Sequence, residues 1–259
     1  MVRKLIPTII GLGTMQLNAF IDGLIASDPI LFGATIFGVA YPLGEGANAS
    51  LNFAARLYQF PLGVFGIAVG TAIFPLLASL ATNRVEFGNT LRRGLRLVVF
   101  IGLPASAGLM LVRDILSGVV YQGGLFTSGD TTEVSFILLG YGTAIWAYSM
   151  TQVLTRAFYA VDDIRTPVKI AVRMVALNLI LNMLLIWTPL GTAGLAWSTA
   201  FCAVVQVCIL MRVIRKHVDV PADRAVVRSW MKTTLATFAM SIGVWGAVTY
   251  CPDVVNLSW

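Results

Sequence analysis

"NFAARLYQFPLGVFGIAVGTAIFP", residues 52–75, is apolar enough to enter a lipid bilayer, yet it contains Arg56 near its start and Pro61 in its middle. A helix needs about 20 apolar residues to cross the ~30 Å hydrocarbon layer, and this stretch is long enough. Proline removes a backbone donor and crowds the preceding turn, so we expect a bend close to Arg56. The stretch predicts a bent membrane helix with a charge inside it.

The whole chain has the composition of a membrane protein. Hydrophobic residues make up 58% of its 259 residues, charged residues only 12%, and the mean hydropathy is +0.83. No window alternates with the period of a strand, and lipid admits only helices or closed barrels. The predicted fold class is therefore all-α, a polytopic helical membrane protein. We predict about seven transmembrane helices, near residues 5–27, 52–82, 93–112, 134–157, 169–188, 192–213 and 231–250.

The net charge of +6 comes from an uneven distribution of basic residues among the loops. If the predicted helices alternate in direction, every Lys and Arg except Arg56 and Arg113 falls on one side of the membrane. This bias follows the positive-inside rule and predicts a cytoplasmic amino terminus, with no nucleic-acid partner. The turn between the fourth and fifth helices is expected to contain ion pairs, between Asp162 or Asp163 and Arg165 or Lys169.

Arg56 is a basic residue that this topology leaves within the membrane. An arginine at mid-bilayer costs roughly 2.5 to 3.5 kcal/mol on insertion scales, so it normally faces water or a partner. Helical spacing places Arg56, Gln59, Gly63, Gly66 and Gly70 on one face. Because a guanidinium suits phosphate or carboxylate oxygens, we expect Arg56, Gln59 and Gly63 to bind an anionic substrate. Alternatively, Arg56 reaches the membrane surface and the glycines simply allow close helix packing.

Other polar residues inside the predicted helices come in pairs. Asn18 and Asp22 share a face of the first helix, and Asn178 and Asn182 share a face of the fifth. An aspartate at that depth must be protonated, paired with a cation or hydrated. We therefore name Asp22, Asn178, Asn182 and Ser198 as a candidate site for a coupling Na+ or H+. The alternative is a set of hydrogen bonds between helices.

No catalytic arrangement is visible in the sequence. It has no glycine-rich phosphate loop with a lysine, no histidine pair and no nucleophile elbow. The only histidine, His217, is expected to be solvated in a basic loop. Cys202, Cys208 and Cys251 lack zinc spacing, so we predict no metal site and no cofactor beyond the coupling ion. These observations favour a transporter over an enzyme.

Three separated stretches carry a family resemblance: "RLYQFPLGVFGIAVGTAIFPLLA" (residues 56–78), "VYQGGLFTSGDT" (residues 120–131) and "RAFYAVDDIRTPVKIAV" (residues 156–172). In this order they resemble the MurJ/MviN flippases of the multidrug/oligosaccharidyl-lipid/polysaccharide exporter superfamily. The similarity runs from the first predicted helix through at least the sixth. Such a resemblance implies fourteen helices in two lobes, of which this chain is the second, carboxy-terminal lobe.

The resemblance also implies a function. Members of this family move the lipid-linked peptidoglycan precursor, lipid II, across the bacterial cytoplasmic membrane by alternating access. Arg56 matches a cavity arginine that engages the diphosphate, and Gln59 stands where the family often has an acidic residue. The expected partners are a lipid-linked oligosaccharide diphosphate, the membrane and the missing amino-terminal lobe. Alternatives are an exporter of another polysaccharide-lipid or of drugs, and a non-transporting membrane scaffold that binds cell-wall enzymes.

Two features depart from the family pattern. Residues 28–48 form a longer link than usual, with an apolar run too short to span a membrane, and we expect an interfacial or periplasmic lid there. The first lobe, which would supply further cavity arginines, is not present in this sequence. The sequence favours a fragment of a longer product over a lobe that works with a separate partner or as a dimer.

Overall fold

The computed structural model describes residues 16–27, 35–36 and 39–250. Residues 16–27 form helix α1, so the amino-terminal half of the first predicted helix lies outside the described residues. Two short antiparallel strands, β1 (Thr35–Ile36) and β2 (Val39–Ala40), follow. Both strands belong to the link between residues 28 and 48. Most of the apolar run of this link lies outside the described residues, so the lid stays a prediction.

The remaining described chain is almost entirely helical. Its elements are α2 (Ala47–Pro61), a π-helical segment (Leu62–Ile67), α3 (Ala68–Ser79), α4 (Arg84–Tyr121), α5 (Ser128–Gly142), α6 (Ile145–Ala160), α7 (Arg165–Leu185), α8 (Ala193–Val213), a 3-10 turn (Ile214–Lys216) and α9 (Arg224–Tyr250). The helical membrane architecture predicted from the sequence is confirmed.

Fewer membrane spans can be identified among the described residues than the seven predicted from the sequence. Among the described residues, four helical stretches are long and apolar enough to cross a membrane: Ala47–Ser79, Arg84–Tyr121, Arg165–Leu185 and Ala193–Lys216. A fifth span results if α5 and α6, which are bent by 44° at their junction, are counted together. The predicted span 231–250 lies within the 27-residue helix α9, which does not meet the same criterion. The first predicted span is described only in part.

The helix around Arg56 is interrupted directly after Pro61. α2 ends there, and Leu62–Ile67 form the π-helical segment before α3 begins. Proline cannot donate a backbone hydrogen bond and crowds the preceding turn. The π segment bonds residues five apart instead of four, so side chains after it are rotated relative to those before it. The helix therefore has a widened turn one to three turns after Arg56, and the predicted bend stays a prediction.

Two buried apolar clusters hold the helices together. One joins α3, α4, α6 and α8 and includes Phe87, Phe158 and Leu210. The other joins α1, α2, α5 and α8 and includes Leu51 and Leu195. Many large apolar side chains on the outer faces of the helices remain exposed, among them Phe60 at 73%, Leu235 at 71% and Phe238 at 66%. Such an apolar surface suits lipid better than water.

Three loops meet at one end of the lobe, called here the basic end, which comprises residues 80–83, 161–164 and 214–223. Arg84 Nη2 lies 2.9 Å from Asp219 Oδ1, and Arg92 Nη1 donates to the carbonyl oxygen of Val220 at 2.7 Å. These contacts fix the link between α8 and α9 against the start of α4.

Asp163 has partners other than the predicted Arg165 and Lys169. Its Oδ1 accepts from the backbone N–H of Thr166 at 3.2 Å, and its Oδ2 lies 3.4 Å from His217 Nε2. Within the described residues it forms no ion pair with Arg165 or Lys169, because its carboxylate satisfies a free N–H at the start of α7 instead. His217 is not fully solvated, since its ring also packs edge-on against Phe158 with centroids 5.9 Å apart.

Candidate functional site

A groove runs along one side of the lobe between α1, α2, α6, α7 and α8, with Tyr141 of α5 at its base. Its volume is about 220 Å³. Polar side chains from several helices share its wall, and most are amides. The amide residues are Asn18, Asn48, Asn52, Gln59, Gln152, Asn178 and Gln206.

Asp22 lies at the bottom of this groove and is only 6% exposed. Asn182 Nδ2 donates to its Oδ1 at 2.6 Å. Asn18 Nδ2 and Thr199 Oγ1 each donate to its Oδ2 at 3.4 Å. A buried carboxylate is tolerated only when its lone pairs are satisfied, and three helices supply these donors.

Asn178 connects the Asp22 carboxylate to α8. With its amide nitrogen directed to α1, it donates to Asp22 Oδ1 at 3.2 Å and to Asn18 Oδ1 at 3.0 Å, and its oxygen accepts from Thr199 Oγ1 at 3.1 Å. In the opposite orientation its nitrogen faces Ser198 and Thr199, and its oxygen accepts from Asn182 at 3.0 Å. Both orientations keep it within one hydrogen-bonded group.

The structure brings all four predicted ion-site residues together. Ser198 Oγ donates to Asn182 Oδ1, and Asn178, Asn182 and Ser198 are at most 1% exposed. We call Asp22, Asn178, Asn182, Ser198 and Thr199 the Asp22 cluster. Carboxylate, amide and hydroxyl oxygens are the ligands that hard cations prefer, and the carboxylate can alternatively hold a proton. In the part of the chain that the structure describes, no group of three or more His, Cys, Asp or Glu is placed to hold a metal ion.

The α7–α8 hairpin explains why these residues meet. Gly191 adopts a φ of +49° at the turn, a conformation that glycine takes without strain. A Cβ on Gly194 would lie 2.9 Å from Leu185 Cβ, so only glycine allows α8 to start this close to α7. The hairpin then aligns Asn178 and Asn182 with Ser198, and α1 lies across them.

A group of tyrosines lies beside the cluster. The rings of Tyr58 and Tyr141 stack with centroids 4.5 Å apart, and Tyr148 lies 5.7 Å from Tyr58. All three line the groove. No pattern in the sequence predicts this group, because its members come from α2, α5 and α6 and share no spacing along the chain.

The three predicted substrate residues do not share one position. Gln59 lines the groove, whereas Arg56 and Gly63 are not among its lining residues. Arg56 is exposed on α2. In the described part of the chain it has no carboxylate within ion-pair distance. Its guanidinium is therefore available on the lobe surface.

The predicted glycine face ends at Gly63. A Cβ on Gly63 would meet nothing within 4 Å, but one on Gly66 would lie 2.7 Å from Ser149 Oγ. A Cβ on Gly70 would lie 2.8 Å from Arg156 Nη1. The expectation that all these glycines share the face of Arg56 is wrong, because the π segment rotates the chain so that Gly66 and Gly70 pack against α6.

Arg156 is half-buried near the carboxyl end of α6. Its Nη1 donates to Gln152 Oε1 at 2.8 Å, and its Nη2 donates to Thr71 Oγ1 at 3.0 Å. The guanidinium itself does not line the groove. Arg156 thus joins α6 to α3 through neutral partners.

Comparison with known proteins places these features in a family. The family model described as "Lipid II flippase MurJ" matches residues 1–257. The chain belongs to the MurJ family. It is 30% identical to the probable lipid II flippase MurJ of Haemophilus influenzae over 98% of this chain and 48% of that protein. It is 27% identical to the lipid II flippase MurJ of Burkholderia cenocepacia over 99% of this chain and 46% of that protein.

Solved structures show the same fold. A lipid II flippase MurJ in an inward closed conformation superposes with a TM-score of 0.76 at 23% identity, covering 96% of this chain and 47% of that one. An outward-facing multidrug resistance transporter of the MATE family, in the MOP superfamily, superposes with a TM-score of 0.69 at 17% identity. The chain spans about half the length of the curated MurJ relatives it matches. It has the fold of one lobe of a helical membrane transporter.

Proposed function

We propose that this chain forms the carboxy-terminal lobe of a flippase that moves lipid II across the bacterial cytoplasmic membrane by alternating access. The proposal is carried by one juxtaposition. Arg56 is exposed on α2 without a carboxylate partner among the described residues, and it lies one helical turn from Gln59 in the groove wall. Membership of the MurJ family supports lipid II as the substrate. Lobes of this kind work by rocking against a second lobe around a midplane site, which makes an amino-terminal lobe the expected partner.

In this proposal Arg56 binds the diphosphate of the substrate. A guanidinium at membrane depth is costly unless it faces water or an anion, and Arg56 has no acidic partner in the described chain. Its planar set of donors can bind phosphate oxygens in pairs, which a lysine cannot do. Gln59 adds an uncharged donor beside it, and the bare backbone at Gly63 leaves space for the bound group.

The Asp22 cluster is proposed as the site of the coupling ion, Na+ or H+. Its oxygens come from α1, α7 and α8, so an ion bound there changes how firmly these helices are held together. The cluster also opens to the groove through Asp22 and Asn178. An ion can therefore influence the shape of the surface that meets the substrate.

The basic end is proposed to face the cytoplasm, with the amino terminus on the same side. Lys and Arg residues concentrate in cytoplasmic loops, and Arg84, Arg215, Lys216 and Arg224 lie at or beside the loops of this end. The groove then lies between the leaflets, with Asn48 and Asn52 toward the periplasm.

The function is tested by translocation of lipid II in vesicles containing the complete transporter. Arg56→Ala should reduce the rate by at least about 100-fold, because the transition between leaflets requires a desolvated diphosphate to be neutralised. Arg113→Ala is the matched control, since Arg113 pairs with its neighbour Asp114 at 3.5 Å and lies outside the groove. Equal rates for Arg56→Ala and wild type, with both inserted in the membrane, would refute the proposed function.

A further inference from the structure

We infer that the groove binds the uncharged, hydrogen-bonding part of the substrate head group, a sugar ring or peptide amides, and that the diphosphate stays outside it at Arg56. This inference rests on the proposed function. It separates two subsites on one lobe, which differ in charge, in side-chain type and in exposure.

The charge of the groove favours binding of the diphosphate at Arg56 instead. Among its described lining residues there is no Lys, Arg or His, and the single acidic group is Asp22. A diphosphate carries negative charge that must be neutralised when it leaves water. In a wall with one carboxylate and no basic side chain it is less stable than beside the guanidinium of Arg56. Arg156 is not itself a lining residue, and its guanidinium nitrogens already donate to Gln152 and Thr71.

The polar groups of the groove match neutral ligands instead. Each Asn or Gln side chain offers both donors and an acceptor, which is the complement of sugar hydroxyls and peptide groups. Two further lining residues, Tyr148 and Thr151, have buried hydroxyls without a hydrogen-bond partner among the described residues. A buried polar atom without a partner is destabilising, so these hydroxyls favour a ligand that completes their bonding.

The tyrosine group supplies the apolar complement. Binding sites for organic ligands combine apolar and aromatic walls with a few directed polar groups. Tyr58, Tyr141 and Tyr148 form such a wall, and Leu62 and Met174 extend it. Sugar rings have an apolar C–H face as well as hydroxyls, and this mixed surface suits both.

Size and position fit one portion of a larger head group. A volume of about 220 Å³ is below the ~300 Å³ at which sites for whole drug-sized ligands begin, so the groove holds a part of the substrate only. Gln59 follows Arg56 by three residues on α2, and residues at this spacing are neighbours on a helix. The two subsites are therefore adjacent, as a diphosphate joined covalently to a sugar requires.

The test compares two ligands that differ only in the head group. Binding of undecaprenyl diphosphate, which has no sugar, and of lipid II is measured on the purified complete transporter. The variant Thr151→Val with Gln206→Leu removes one unpaired hydroxyl and one amide from the groove. We expect it to bind lipid II about tenfold more weakly and undecaprenyl diphosphate within twofold of wild type. Arg56→Gln should weaken both ligands by similar factors.

A matched control separates binding from packing. Thr237 on α9 also has a buried hydroxyl without a partner among the described residues, and it lies outside the groove. Thr237→Val should leave the affinity for both ligands unchanged, and removing either hydroxyl should not lower thermal stability. Equal weakening of both ligands by the groove variant, or no weakening of either, overturns the inference. If the wild type binds neither ligand, the proposed function fails and the inference fails with it.

Discussion

The Asp22 cluster and Arg56 are both charged features of a membrane lobe, yet their surroundings are opposite. Asp22 is 6% exposed and accepts hydrogen bonds from α1, α7 and α8. Arg56 is exposed and has no carboxylate partner in the described chain. The described part of the lobe supplies hydrogen-bond donors to Asp22, but it supplies no carboxylate to Arg56.

This difference suggests a division of work. A charged group whose hydrogen bonds are all made within one lobe can hold the helices of that lobe in one arrangement, as a coupling-ion site must. A group left unsatisfied at the surface is placed to meet a substrate or the partner lobe. The groove between them shares a wall with both, because Asp22 and Gln59 line it.

The contrast in exposure gives the largest expected effect. In a background with Cys202, Cys208 and Cys251 replaced by alanine, Arg56→Cys should react with a membrane-impermeant thiol reagent on the order of 100-fold faster than Ser198→Cys. Thiolates react only where reagent and water reach them, and Ser198 is 0% exposed. Labelling rates on intact and opened membranes provide the measurement.

Equal labelling of the two cysteines would contradict the contrast. Slow labelling at both positions would mean that position 56 lies in dry packing in the complete protein, as the scaffold alternative predicts. Fast labelling at both would mean that the Asp22 cluster is open to water.

The second largest effect concerns the hydrogen bonds within the Asp22 cluster. Asn182→Leu removes the 2.6 Å hydrogen bond to Asp22 and leaves a buried carboxylate with fewer donors. We expect the free energy of unfolding to fall by about 3 kcal/mol, because an under-satisfied charge inside a protein is costly. Thermal unfolding in detergent measures this change.

Asn52→Leu is the control for this substitution. Asn52 is exposed and donates only to Asn48 in the described structure, so its replacement should change stability by less than about 0.5 kcal/mol. If Asn182→Leu were as mild as Asn52→Leu, Asp22 would draw its stability from other groups.

The cluster was largely predictable from the sequence, and the reason is helical spacing. Asn18 with Asp22, and Asn178 with Asn182, are four residues apart, so each pair must share a helix face whatever the tertiary fold. Polar residues inside apolar spans must also find partners, which makes their convergence the expected outcome. The membrane helices were predictable for a similar reason, since length and hydropathy are local properties.

The groove and the true face of α2 were not predictable in this way. The π segment rotates the following side chains about the helix axis relative to an ideal period of 3.6 residues. Gly66 and Gly70 therefore face α6 and do not share the face of Arg56. The tyrosine group depends on how α2, α5 and α6 pack, which no spacing within one helix encodes. Asp163 lies 3.4 Å from His217, which is 54 residues away in the sequence, and in the described chain it does not pair with the nearby Arg165. The sequence could not predict this contact, because only the tertiary fold brings the loops of the basic end together.

The smallest expected effect tests what the Asp22 cluster binds. A ligand that binds only the folded state stabilises it by RT ln(1 + [L]/Kd), which is about 1.4 kcal/mol at a tenfold excess over Kd. Thermal unfolding in NaCl should therefore occur at a higher temperature than in N-methyl-D-glucamine chloride of equal ionic strength. Asp22→Asn should abolish this difference, because the neutral amide keeps the size of the side chain but not its charge.

If wild type shows no sodium effect and instead shows a pH dependence that Asp22→Asn removes, the coupling ion is a proton. Wild-type stability that responds to neither ion would mean that the cluster only joins helices, and the contrast with Arg56 would then be one of packing alone.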